Sequence, residues 1–260
     1  MSDSETTAAN DFYVIAREPG AEHPALPTWA TVNSNPAGLE LDRKVSVQAT
    51  EIDGVPGAFH LHNVLSIDEC IRLIDVSESL GYLPDAAVSL PRAIRHNHNV
   101  TWVADSTTTD LLWQRCAEVM RSRPDPITNK LALGLNARFR FYRYEVGDFF
   151  KPHTDGAWPG SRVIDGELIT DAFDDRWSLL SFIIFLSSGY EGGRTRFYLD
   201  PDDPSQPARG GSALAIDVVT PAGAVLCFPH GMHPQHCMHS SETIVAGTKY
   251  IIRTDMLFQI

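Results

Sequence analysis

Apolar and polar side chains alternate most clearly along Arg138-Phe139-Arg140-Phe141-Tyr142-Arg143-Tyr144. A period of two predicts a strand there, with Phe139 and Phe141 on one face and Arg140, Tyr142 and Tyr144 on the other. Residues 179–186 are apolar at nearly every position, the pattern of a central strand covered on both sides. Further strands are expected at 195–199, 212–218, 224–228 and 249–258. Upstream the period lengthens. Ile67, Cys70, Ile71, Ile74 and Leu80 recur at helical spacing behind Ser66-Ile67-Asp68-Glu69, a capping-box signature in which serine and glutamate each satisfy a free backbone amide. Gly81 suits the left-handed position that ends a helix. A second helix is predicted to open near 107–110 and to carry Leu111, Leu112, Cys116 and Val119, with Pro124 closing the region.

Short strands punctuated by turns such as Pro221-Ala222-Gly223 argue for a sandwich or jelly roll rather than a parallel α/β sheet. The fold class expected is therefore mainly β with flanking helices, α+β. Residues 1–50, broken by Pro24, Pro27 and Pro36, read as an N-terminal arm over the surface, disordered in its first ten residues. Residues 51–260 read as a single domain, with helical support over about 57–130 and a β core over about 135–258. The connection 156–176 is rich in Gly, Asp and single charges; at that length it is either a lid or an ordinary mobile surface loop.

With 43% apolar residues in 260, the chain can bury a sizeable core. Its 21 basic and 33 acidic residues give a formal charge of -12, which repels phosphate backbones, so neither nucleic acid nor an anionic membrane surface is an expected partner. Cys70, Cys116, Cys227 and Cys237 form no CxxC pair and read as reduced thiols. No stretch approaches the roughly 20 apolar residues of a membrane span. The polar, acidic first residues resemble no signal peptide, and a cytoplasmic location is the expectation.

Candidate chemistry gathers late in the chain. His153 and Asp155 are two residues apart, so on extended backbone both point to one side. With a third donor, His239, they make two imidazoles and one carboxylate, the set that holds non-haem Fe(II) while leaving coordination positions open. His230, His233, His236 and His239 recur at every third residue, and a histidine tract of that kind is alternatively a zinc site. His60, His62, His96 and His98 read as surface or structural residues. The donor-rich run 92–99 either lines a substrate groove or forms a solvated strand and turn.

Tyr144, Gly147, His153 and Asp155, then Gly192-Gly193-Arg194-Thr195-Arg196-Phe197, then 223–228, then His239 with Gly247 and Lys249 resemble the iron and 2-oxoglutarate dependent dioxygenases of the prolyl 4-hydroxylase type over about residues 135–258. The resemblance implies a double-stranded β-helix, a jelly-roll variant, with iron at its open mouth. It makes His153, Asp155 and His239 the metal ligands. His239 is preferred to His236 because the family places a glycine eight and a basic residue ten positions beyond its distal ligand, as Gly247 and Lys249 stand here.

The same resemblance makes Lys249 the partner of the distal carboxylate of 2-oxoglutarate and Tyr144 a cosubstrate contact, with Tyr142 as its alternative. Arg253, on the same face, is assigned to outer support or to another group near the iron. Two departures stand out: Phe185 where many relatives have a cosubstrate-binding tyrosine, and Ser240-Ser241 where an acidic residue and glycine are usual. The implied cofactors are Fe(II), 2-oxoglutarate and O2, with ascorbate as an accessory reductant. The implied reaction hydroxylates a C–H bond and releases succinate and CO2, without a catalytic serine or cysteine. A prolyl residue of a peptide or protein is the first substrate expected. A free amino acid or small metabolite is the alternative, and a catalytically inactive binding module the reading from another class.

Overall fold

The computed structural model describes residues 11–44, 46–87, 90–209 and 211–260; the disorder expected over the first ten residues lies outside them. Part of the expected arm is sheet. Strands β1 (Phe12–Glu18) and β2 (Leu26–Thr31) form an antiparallel hairpin, and β3 (Gln48–Glu51) pairs with β4 (Phe59–His62). Leu26, Thr28 and Ala30 are buried in alternation, but the run is short and broken by Pro27, which hid the period.

Helix α1 (Ile67–Leu80) starts where the capping box placed it: the Glu69 amide donates to Ser66 Oγ at 3.2 Å and the Ser66 amide to Glu69 Oε2 at 2.9 Å. Its buried face is Cys70, Leu73 and Val76, with Ile74 and Leu80 packed against the same core, whereas Ile67 and Ile71 are 58% and 50% exposed. Glu69 decides the rotation. Its fully buried carboxylate receives Arg115 at 2.6 Å and Arg43 at 2.9 Å, and turning Ile67 and Ile71 inward would strip that charge of its partners.

Strands β5 (Arg95–His96) and β6 (His98–Val103) precede α2 (Ser106–Arg121), which is capped by Asp105 and opens one residue before the expected range. Then come β7 (Ala132–Leu135), β8 (Arg138–Tyr144) and β9 (Phe149–His153). The expected loop 156–176 contains a hairpin, β10 (Arg162–Ile164) and β11 (Glu167–Ile169), turned by Asp165 and Gly166 at φ of 49° and 80°. Asp-Gly is the dipeptide that such a two-residue turn favours. The remaining strands are β12 (Arg176–Phe185), β13 (Glu191–Gly192), β14 (Thr195–Leu199), β15 (Leu214–Val218), β16 (Val225–Pro229), β17 (Met238–Ser241), β18 (Ile244–Ala246) and β19 (Lys249–Gln259).

These strands make the two faces of a jelly roll. The large sheet runs β1-β2-β6-β8-β19-β12-β16-β4-β3, with β7 also on β19, and the smaller runs β15-β14-β17-β9-β5. Alternation sorts the side chains into two cores. Phe139, Phe141, Phe182, Ile184 and Ile252 pack outward with Leu73 of α1 and Leu112 and Cys116 of α2. Tyr142, Tyr144, Ile183, Phe185 and Ile251 point inward to meet Phe197 and Val218 of the smaller sheet. The facing predicted for β8 is thus the one found, and it delivers Tyr142 and Tyr144 to the barrel interior.

Candidate metal centre

Strand register builds the site. In the β9–β17 pair His153 lies directly opposite His239, which sets the two imidazole centroids 4.3 Å apart. Asp155 follows β9 by two residues, and its carbonyl accepts the Gly231 amide at 3.0 Å. Donor atoms of His153, Asp155 and His239 all lie within 4.8 Å of one another. Asp155 Oδ1 is 3.8 Å from His153 Nε2, and Oδ2 is 3.8 Å from His239 Nε2.

Both imidazoles are held in the tautomer a metal requires. His153 Nδ1 donates to the Lys151 carbonyl at 2.8 Å and His239 Nδ1 to the Cys237 carbonyl at 3.2 Å, which leaves each Nε2 lone pair turned to the cluster. Phe150 stacks on the His153 ring at 3.5 Å, and Phe228 lies 4.5 Å from the ring of His239. Burial, with the neighbouring His239, lowers the His153 imidazolium to about 3, and burial likewise lowers His239. Both rings are therefore neutral donors near neutrality. Burial works against ionisation of Asp155, but Arg253 and the two histidines outweigh it and hold the carboxyl well below the usual carboxylate range. Two neutral imidazoles and a carboxylate, with open space before them, fit Fe(II).

A directional hydrogen-bond chain holds Asp155. The Ser181 hydroxyl donates to Oδ2 at 2.6 Å and therefore accepts from His230 Nδ1 at 2.9 Å, while His230 Nε2 accepts from the Ser178 hydroxyl at 2.9 Å. Arg253 Nε adds a second donor to Oδ2 at 3.1 Å. Sequence reasoning missed Ser178, Ser181 and His230 as site residues. Buried hydroxyls within the otherwise apolar β12 were the available signal.

The histidine tract does not converge. His230 joins that chain, His233 Nε2 meets Asp125 at 2.9 Å, His236 meets Arg209, and His239 alone of the four reaches the cluster. His60 is buried against the Thr220 hydroxyl at 2.9 Å, and His96 Nδ1 is 2.6 Å from Asp148. His98, Glu145 and Asp148 bring further donors together, yet Asp148 is already engaged by His96 and by the Glu145 amide.

Lys249 stands opposite Tyr144 in the β8–β19 register and is 1% exposed. Its ammonium donates to the Gly193 carbonyl at 2.6 Å and to Ser241 Oγ at 3.1 Å, inside rings of Tyr144, Phe185 and Tyr190 at 5.3, 5.2 and 6.0 Å. Among the described residues no carboxylate lies within ion-pair distance of it. Burial lowers this ammonium to about 7. A buried cation without an anion is costly unless a ligand supplies one. Phe185, the apparent loss of a cosubstrate hydroxyl, is here a face of the cage, and Ser241, one of the two departures from the usual sequence, is a polar partner.

Arg253 is differently placed: its guanidinium is committed to Asp155 and, at 3.2 Å, to Asp255. Both Lys249 and Arg253 line the cavity that holds the three donors, together with Tyr142, Tyr144 and Thr195. Burial alone would raise the Tyr142 phenol, but Arg95, Arg253 and Arg140 around it pull it below its ordinary value. Arg95 reaches the site from β5, over the Tyr142 and Phe150 rings at 5.3 and 5.7 Å.

No protein-family model and no curated protein matches the chain. Solved structures do. The prolyl hydroxylase from Trichoplax adhaerens, in complex with a hypoxia inducible factor oxygen degradation domain peptide fragment, aligns with a TM-score of 0.51 at 14% identity, covering 78% of this chain and 83% of that one. The viral collagen prolyl hydroxylase of Paramecium Bursaria Chlorella virus-1 aligns at 0.49 and 17%, covering 78% and 96%. A Pseudomonas putida prolyl-4-hydroxylase aligns at 0.47 and 17%, covering 77% and 92%. At these identities the likeness shows the fold, and the Trichoplax alignment places this chain in the jelly-roll fold the resemblance implied. No helix among the described residues is long and apolar enough to cross a membrane.

Proposed function

We propose that the protein is an Fe(II)- and 2-oxoglutarate-dependent dioxygenase that hydroxylates a C–H bond, with His153, Asp155 and His239 holding the metal and Lys249 holding the cosubstrate. The observation that carries the reading is the pairing of a neutral-donor facial triad with a caged, buried ammonium that has no carboxylate of the described residues beside it. When bound, iron supplies the oxygen-activating chemistry that couples decarboxylation of 2-oxoglutarate, to succinate and CO2, with hydroxylation of the substrate.

The chain's own residues do the rest. Carbonyls of Lys151 and Cys237 fix the ligand tautomers, Ser181 and Arg253 orient Asp155 through Oδ2, and that leaves Oδ1 outside any described hydrogen bond. Lys249 fixes one end of the cosubstrate as a point charge, and Tyr144 and Phe185 exclude water beside it. Arg253, bound to Asp155, is assigned to positioning the ligand. Two substrate classes fit this reaction, a prolyl residue in a peptide, supported by the peptide complex of the Trichoplax structure, and a free amino acid or small metabolite.

Two measurements test this reading. Succinate should form from 2-oxoglutarate with Fe(II) and O2, with ascorbate added to keep the iron reduced, and Mn(II) should bind anaerobically. His239→Ala should abolish both while His236→Ala retains them. Loss in the His236 variant with retention in the His239 variant would reassign the distal ligand, and no metal binding by the intact protein would end the proposal.

A further inference from the structure

A second cavity, of about 390 Å³, shares no lining residue with the one that holds the three donors and is lined by Arg138, Arg140, Trp158, Pro159 and Trp177 among others. Arg140 faces Arg253 directly in the β8–β19 register. Its guanidinium sits 5.6 Å over the Trp158 ring, and no carboxylate of the described residues comes within ion-pair distance of it. The neighbouring polar groups are already used. Glu18 takes Arg138 and the Thr28 hydroxyl, and Asn136 Oδ1 accepts the amides of Arg138 and Ser161 while its Nδ2 donates to Asp255.

What remains unsatisfied is of one kind. Among the described residues Trp158 Nε1 and Arg138 Nε are buried without a partner, and Arg140 offers a planar fork of N–H groups. All of these are donors and none accepts. Two guanidiniums against the single Glu18 carboxylate leave the cavity net positive, and its walls of Pro159, Trp158 and Trp177 are apolar. An acceptor-only planar anion on an aliphatic body matches that environment, since a guanidinium binds a carboxylate through two parallel hydrogen bonds.

We infer that Arg140, backed by Trp158, is the recognition site for the free carboxylate of a small substrate, of the size of an amino acid or short-chain organic acid. This rests on the proposed centre for the reaction that follows, though the cavity itself is built of protein atoms alone. Arg140 stands opposite Arg253, which itself binds Asp155, so a carboxylate on Arg140 anchors the substrate next to the strand that carries the Asp155 partner. Of the two substrate classes above, it selects the small carboxylic acid over a prolyl residue inside a peptide chain.

Calorimetric titration of the full-length protein tests this with free L-proline, other L-α-amino acids and short aliphatic acids, each beside its primary amide, and with an end-blocked prolyl peptide. At least one acid should bind, its amide at least tenfold more weakly, and Arg140→Gln should weaken the acid at least tenfold while Arg140→Lys, which keeps the charge and loses the fork, falls between. Trp158→Phe should weaken the same acid without altering the preference for acid over amide. Equal binding of acid and amide, unchanged binding in Arg140→Gln with an intact circular dichroism spectrum, or binding of the blocked peptide alone would overturn it, as would no binding by any acid of the series. Mn(II) binding measured in parallel separates the failures: metal binding without acid binding sinks this inference only, and acid binding without metal binding sinks the proposed centre.

Discussion

Lys249 illustrates how one buried charge can report its ligand. Its ammonium is lowered by burial from 10.5 to about 7, so between those values the unfolded chain binds a proton the native chain does not, and stability rises with pH across that window. Below pH 7 the buried ammonium persists at full desolvation cost. Lys249→Met should therefore stabilise the ligand-free protein at pH 6 by about 1 to 3 kcal/mol, read by urea denaturation. It should also raise the 2-oxoglutarate requirement by about ten- to a hundredfold. Because a bound carboxylate favours the charged lysine, 2-oxoglutarate binding at pH 8 should take up a proton. Calorimetry in buffers of different ionisation enthalpy would show it, and no difference between buffers would remove Lys249 from the cosubstrate site. Ser181 acts at the same scale. Ser181→Ala takes one hydrogen bond from Asp155 and leaves His230 Nδ1 unsatisfied, so Mn(II) affinity should fall by about 10- to 100-fold, whereas a fall no larger than that of a surface serine variant would dismiss the Ser178-His230-Ser181 chain as a support.

At the scale of elements, the α1 N-terminus ties together parts of the chain far apart in sequence. Glu69 caps the Ser66 amide, accepts the Glu40 amide at 2.9 Å and binds Arg43 and Arg115. Burial alone would raise its carboxyl, but Arg115 and those amides outweigh it and lower it from 4.5 to about 2. Its contribution to stability is present in full above pH 4.5 and is lost as pH falls toward 2. Glu69→Gln leaves Arg115 buried without its anion and should cost about 3 to 5 kcal/mol at pH 7. The deficit relative to the native chain should shrink at pH 3, and a difference independent of pH would deny Glu69 its charged role. The capping box was legible because it is a matter of four consecutive residues. The packed face of α1 was legible only in part, since two apolar stripes were available and the choice depended on Arg115 from α2. In the same way the Asp165-Gly166 turn was within reach of local reading, while β1 and β2 become recognisable only through their pairing with each other and that of β2 with β6.

Across the whole molecule, the centre is a coupling of two sheets, and its ligands should stabilise the fold they join. Saturation with Mn(II) and 2-oxoglutarate at a hundred times their dissociation constants should add about 2.7 kcal/mol per bound species, seen as a raised thermal midpoint. The increment should vanish in His239→Ala and persist in His236→Ala; an equal increment in both would place the metal elsewhere. The sequence by itself determined the strand periods, the facing of β8, the α1 cap and a triplet of donors that the structure gathers, because each is written in spacing along a few residues or in an ordered motif. Only the tertiary structure decided that Arg253 is spent on Asp155 while Lys249 has no anion among the described residues, that His230 serves the centre through Ser181, and that Arg140 and Trp158 face an open cavity. Those outcomes depend on β19 lying between β8 and β12 and on β17 lying beside β9, and register between strands distant in sequence is settled by packing that no local pattern encodes.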